Sequence, residues 1–310
     1  NHTTSTDAYN VAIGHNAGGS ATTAIKNVFV GGFAGDAFTD ADDNVGIGMN
    51  ALSADTLGSR ATAVGSGALA QQNFTTATNS YNVAIGFDAG NDITTGIQNT
   101  LIGGLAGDAI TVAESNVAIG TGALGAETKG SRNVAIGEHA LKVQNNTTAT
   151  SPYNVAIGYN AGISVTTGTN NTLVGAFAGD ALMNGDNNIA IGHNALSTED
   201  GHGKNVAIGV NSLQNCNTGV TGLDGQNVAI GYEAGKAVEL GVFNTFVGAD
   251  AGLANTNGDA NTFIGKGSGS TVTTGDNNTI LGPFNGNQDS LDIRTSDHGI
   301  VLSSGDGSVR

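Results

Sequence analysis

Cys216 and His202 are the residues of this chain whose types could form a nucleophile and its base, for acyl transfer through a thiolate. Cys216 is the single cysteine, so it makes no intrachain disulfide, and no spacing fixes it against His202 within its polar stretch. No catalytic residue is assigned, and the chain is read as not an enzyme. Asp36, Asp108 and Asp180 recur at equivalent places, as calcium ligands would. The Gly-Gly-x-Gly-x-Asp pattern of calcium-binding rolls is missing, which leaves turn-capping as their expected role. His15, His139 and His193 do not recur in register and no His-x-His occurs, so no metal is expected. The glycine run Gly120 to Gly125 matches G-x-G-x-x-G but opens no helix, and no cofactor is expected. Thr-Thr-Gly at 94–96, 166–168 and 273–275 invites comparison with ice-binding threonine ladders, but these pieces read as irregular loops without a Thr-x-Thr column.

Sugar binding is the chemistry best served by the sequence. Three segments, Gln71 to Tyr81, Val143 to Tyr153 and Gln214 to Gln226, are rich in Thr, Asn and Tyr or Gln. Amide and hydroxyl groups beside an aromatic ring suit a glycan, and the candidate contacts are Thr75, Thr76, Asn79, Tyr81, Asn146, Thr147, Thr148 and Tyr153. The reading favoured over receptor contact is that these segments are spacers or buttresses against a neighbouring chain.

What positions them is a repeat. Asn-Val-Ala-Ile-Gly and its variants occur in sixteen copies, with the closing glycine at Gly14, Gly31, Gly48, Gly65, Gly86 and onward to Gly282. The glycines are spaced by 17 residues, except for 21 or 22 where the three polar segments are inserted. Four super-repeats of about 72 residues result. Alternation of apolar residues in so short a copy predicts a strand, so each copy is read as one coil of a parallel β-solenoid. Sixteen coils at strand spacing would make a rod roughly 75 Å long. The repeat columns are represented by Asn10 and Gly14, Asn82 and Gly86, Asn154 and Gly158, Asn227 and Gly231. Each Asn is expected to bond the same amide in the next coil, and each Gly to turn a corner needing positive φ or close backbone approach.

Within a copy, Val11 and Ile13 point to one face and Ala12 to the other. The second coil of each super-repeat replaces that Ala by Phe29, Leu101, Leu173 or Phe246, so both faces are apolar. A strand buried on both sides of a coil this thin predicts a partner chain, with small Ala residues admitting it closely. The expected assembly is a parallel homotrimer.

Composition narrows the function. Net charge is −16, with 26 Asp plus Glu against 10 Lys plus Arg, which offers no footprint for nucleic acid. No apolar run approaches the roughly 18 residues of a membrane span, and no membrane insertion is expected. Gly numbers 50 without a Gly-X-Y period or abundant Pro, which excludes collagen.

The motif Asn-Val-Ala-Ile-Gly-Tyr-Asn-Ala-Gly at 154–162 resembles the head domains of trimeric autotransporter adhesins and the repeat shafts of bacteriophage tail fibres. The resemblance covers 10–286 and implies three parallel β-rolls side by side. Residues 287–310 leave the repeat, read as short strands around a Gly-Asp-Gly turn, and resemble the segment that precedes the self-cleaving chaperone of phage fibres. The expected organisation is the end of an upstream insertion loop at 1–9, a shaft at 10–286 and a β cap or connector at 287–310. The expected function is a structural and adhesive phage tail fibre in the virion, bound to itself, to other fibre or tail proteins and to a host-surface glycan or protein receptor. A bacterial surface adhesin or extracellular filament subunit is the alternative.

Overall fold

The computed structural model describes residues 8–198, 201, 203–216 and 224–310. It is all-β, a parallel β-solenoid, with no helix and hence no membrane-crossing helix among these residues. The chain divides into two compact units, Asn1–Tyr153 and Asn154–Arg310. In the first, three-residue strands from Val11–Ile13 to Val134–Ile136 pair in parallel, one per coil. Register is strict: Val83 lies beside Thr100, Ala84 beside Leu101 and Ile85 beside Ile102. In the second, strands from Val155–Ile157 to Ile300–Leu302 are stacked in the same way.

The last strand corrects the expected boundary at residue 286. Ile300–Leu302 continues the stack on Thr279–Leu281, because Gly299 takes the place of the corner Asn and donates its N–H to Asn278 Oδ1 at 2.7 Å. The expected turn is present beyond it: Arg310 N–H donates to Leu302 O across a bridge between Ser303 and Val309. Most of the segment expected to end an upstream loop, residues 1–7, lies outside the described residues.

From the second strand onward the two faces are reversed from the sequence reading, while the terminal Val11–Ile13 is exposed throughout. The central residue, Ala84, Leu101, Ala118 or Phe246, is wholly buried inside the coil, whereas the flanking Val and Ile face outward. The interior of so small a coil is too narrow for two branched side chains per strand. A single inward column of mostly Ala fits it.

Three side-chain columns hold the coils in register. The Asn residues are buried, and their main partners are backbone groups rather than one another. Asn99 Oδ1 accepts the N–H of Asn116 at 3.0 Å, while Asn99 Nδ2 donates to Ala113 O at 2.9 Å. Amide-to-amide contacts are secondary, as from Asn116 Nδ2 to Asn99 Oδ1 at 3.3 Å. Leaving such a backbone donor and acceptor buried without partners would cost about 1–3 kcal/mol each. At the closing glycine both expected reasons hold together: Gly103 has φ of 136°, and a Cβ there would stand 2.6 Å from the carbonyl carbon of Gly120. Each coil also takes left-handed residues that need no glycine, such as Gln98 and Leu105 around Gly103.

The third column explains the super-repeat. Four residues after the closing glycine, the second super-repeat carries Gly90, Gly107, Leu124 and Leu141, all buried. A Cβ on Gly90 or Gly107 would meet the Leu101 side chain at 2.6 or 2.8 Å. Leu101 thus fills the corners of two coils, while in the next two the corner Leu fills the space left by Ala118 and Ala135.

Candidate functional site

In the first unit the two insertions lie on the coil corner seven residues after the closing glycine. Half of that unit's coils place an apolar residue there, such as Ile93 or Ile110, whereas the coils under the insertions carry Asp55 and Glu127, both fully buried. Asp55 Oδ1 accepts the N–H groups of Gly58 at 2.9 Å and Phe74 at 3.1 Å, and Oδ2 accepts Gln72 Nε2 at 2.6 Å. Burial away from water pushes the Asp55 carboxyl up from the ordinary carboxylate range. Glu127 is more fully enclosed: its oxygens accept the N–H groups of Thr128, Lys129, Gly130 and Asn146 and the side-chain amides of Gln144 and Asn146. Each insertion is therefore tied down by a buried carboxylate of the preceding coil.

The anchored base sorts the predicted contacts. Thr75, Thr76, Asn79 and Tyr81 are exposed, and so are Thr147, Thr148 and Tyr153. Asn146 is not: it is 8% exposed and donates to Glu127 through both its backbone N–H and Nδ2, so its predicted role as a contact is corrected to an anchor. Thr78–Asn79 pairs with Gly58–Ser59, which leaves Thr75 to Ala77 as the outermost part of the first insertion.

The tyrosines are partly committed. Arg60 Nη1 donates to Tyr81 Oη at 3.0 Å with its guanidinium 5.8 Å from the ring centre. Arg132 stands 6.0 Å from the Tyr153 ring, donates to Ser151 Oγ and pairs with Glu114 at 3.4 Å. One face of each ring is covered by a cation; half of each residue stays open to solvent. The spacing of Arg60 to Tyr81 and Arg132 to Tyr153 was available in the sequence, yet only coil register reveals the pairing. In the second unit, part of the third insertion (217–223) and His202 lie outside the described residues, while Cys216 is fully buried and Lys204 pairs with Asp224.

The remaining candidates do not converge. Asp36 accepts Asn16 Nδ2 at 3.3 Å, and burial raises the carboxyls of Asp108 and Asp180 while backbone amides oppose the shift. His15 and His193 pack edge-on against Phe33 and Phe177. Among the described residues no three His, Cys, Asp or Glu side chains gather as a metal site. The Thr-Thr-Gly pieces prove regular rather than loop-like. Thr94, Thr95 and Gly96 all donate backbone N–H groups to Thr111 O, and Thr94 Oγ1 donates there too at 3.2 Å. Thr166 does the same to Met183 O at 2.9 Å, so these hydroxyls serve the coil itself.

A second surface was missed by sequence reasoning. Outside the sheet, the residue before each closing glycine is aliphatic in every coil of both units: Ile85, Ile102, Ile119 and Ile136 in one, Ile157, Val174, Ile191 and Ile208 in the other. Ile85 is 39% exposed and Ile264 41%. Comparison with protein-family models, curated proteins and solved structures finds no match for the chain.

Proposed function

We propose that this chain is a structural and adhesive fibre protein, the shaft of a bacteriophage tail fibre that takes part in host-surface recognition as a parallel homotrimer. The observation that carries the reading is the outer aliphatic column. A chain with only 12% charged residues that repeats Ile or Val outward coil after coil has a sheet face suited to burial against like chains. The face that admits partners is the Val and Ile face, and the Ala column is left to the coil interior. Anchored insertions carrying exposed Thr, Asn and Tyr supply contacts away from that face, and three chains present each contact three times. Weak glycan binding then gains by effective concentration. Other fibre or tail proteins are the remaining partners, and the virion is its place of action.

Sedimentation with mass determination, together with electron microscopy of native particles, tests this. Trimers attached to phage tails are expected. A monomer at low concentration removes the assembly, and long uniform filaments without virions replace the fibre by an extracellular filament subunit or surface adhesin.

A further inference from the structure

In the first unit the regular surface is interrupted by a cleft of about 260 Å³, with Gly122 and Gly125 at its floor and Leu105, Asp108, Lys142 and Val143 around it. Its origin is legible by comparison with equivalent positions one super-repeat earlier and later. Leu105 stands where those copies have Phe33 and Phe177, Gly122 where they have Asn50 and Asn194, and Gly125 where they have Ser53 and Ser197. Three reductions in size therefore coincide at one place.

Backbone geometry does not require them. Gly122 has φ of 61°, but Asn50 and Asn194 adopt the same left-handed conformation at 58° and 54°. Gly125 has no positive φ at all. Glycine here removes side chains that the equivalent positions carry; a Cβ on Gly122 would stand 3.1 Å from His139 Cδ2 and one on Gly125 3.3 Å from Asp108 Oδ1, so their absence keeps the cleft open between its walls.

The walls define what fits. Asp108 presents carboxylate oxygens whose hydrogen bonds come from backbone amides at one end, which leaves acceptor capacity toward the cleft. Lys142 is exposed on the opposite side, and among the described residues no ion pair engages it. Leu105, Val143 and the Cα atoms of the two glycines give an apolar surface between these poles. Asp88 and Asp92 add negative charge beside Asp108, which disfavours an anionic guest. The volume is below that of pockets for drug-sized ligands and suits one ring.

We propose that this cleft is a subsite for a single uncharged pyranose, with hydroxyls bonded by Asp108 and Lys142 and the C–H face laid on Leu105, Val143 and the glycine floor. The proposal rests on the adhesive reading above and adds a site distinct from the exposed tips of the insertions.

The test is ligand-observed NMR and calorimetry on the full chain with methyl pyranosides of glucose, mannose, galactose and N-acetylglucosamine. Saturable millimolar binding of at least one is expected. The double variant Gly122→Asn/Gly125→Ser installs what the neighbouring super-repeats carry and should abolish binding; its Tm is measured beside the native chain's, because a Cβ at 122 would press His139 Cδ2 at 3.1 Å. Lys142→Ala should weaken binding about tenfold. Silence of the whole panel with the native chain overturns the inference, as does equal binding by the double variant. Adhesion to immobilised bacterial surface polysaccharides separates the two readings: if the native chain and the double variant adhere equally, the adhesive function stands without this subsite. If the native chain binds a pyranoside through the cleft yet adheres to no polysaccharide, the adhesive function fails and the subsite remains.

Discussion

The second and the last super-repeats fill the same interior by opposite means. In the second, one large strand residue, Leu101, is followed one and two coils later by the corner residues Leu124 and Leu141. In the last, all four corners are glycine, and the strand centres carry Phe246, Phe263 and Ile280 instead. A Cβ on Gly269 would stand 2.3 Å from the Phe263 ring, the same incompatibility seen between Gly107 and Leu101. Strand centre and corner share one volume, and either supplies it. The Asn and closing-Gly columns admit no such trade, since they satisfy backbone groups and backbone approach rather than space.

That distinction can be broken most forcefully at a closing glycine. Gly103→Ala combines an unfavourable φ with a backbone collision, and should cost about 4 kcal/mol in urea unfolding. A small loss would dissolve the contrast between the two kinds of column. Next comes the trade itself. Phe263→Ala should cost about 3–4 kcal/mol through its cavity, and Gly269→Leu about 1–3 kcal/mol through overpacking. The double variant should recover to within about 2 kcal/mol of the parent, the remainder including left-handed strain at the new Leu. Simple additivity in a double-mutant cycle would refute shared volume.

Smaller effects sharpen the comparison at the corner that holds Asp55 and Ile93. Asn255 occupies this column in the second unit, fully buried, and among the described residues neither end of its amide has a partner. Asn255→Val should therefore stabilise by about 1–2 kcal/mol, read as a rise in Tm. Asp55 is the bonded counterpart. Because its folded pKa is raised, its contribution to stability is fully present below the unfolded value of 3.8 and declines as pH rises through the folded value. Tm measured from pH 4 to 7 should show this decline in the native chain and its absence in Asp55→Asn. Asp292 has the opposite sign: Arg294 lowers it to about 2, so its small surface contribution fades only as pH falls toward that value.

Much of the fold was legible because the sequence repeats with a fixed period. Sixteen glycines at spacings of 17 announce coils, and the strands Val83–Ile85 and Thr100–Ile102 lie where alternation puts them. Which face turns inward was not legible. Alternation separates Val and Ile from Ala but does not say which set a narrow coil can enclose, and the larger residues look like core. The extra turn at Ile300–Leu302 was hidden by the hairpin that precedes it, and by Gly299 in place of Asn. At the insertions, composition identified exposed Thr75, Thr147 and Tyr81 but not Asn146, whose burial depends on Glu127 one coil away. Partners separated by a whole coil leave no local pattern.

The buried carboxylate beneath each insertion of the first unit bears on how such a chain can lengthen over evolutionary time. A lone extra segment at another corner would find no prepared seat, because Ile93 or Ile110 there offers no acceptor for its amides. A duplication that copies the insertion together with its preceding coil carries the seat along. The heritable step is then either the bare coil of 17 residues or the furnished block of about 72, and the 72-residue spacing of Asp55 and Glu127 marks the second kind.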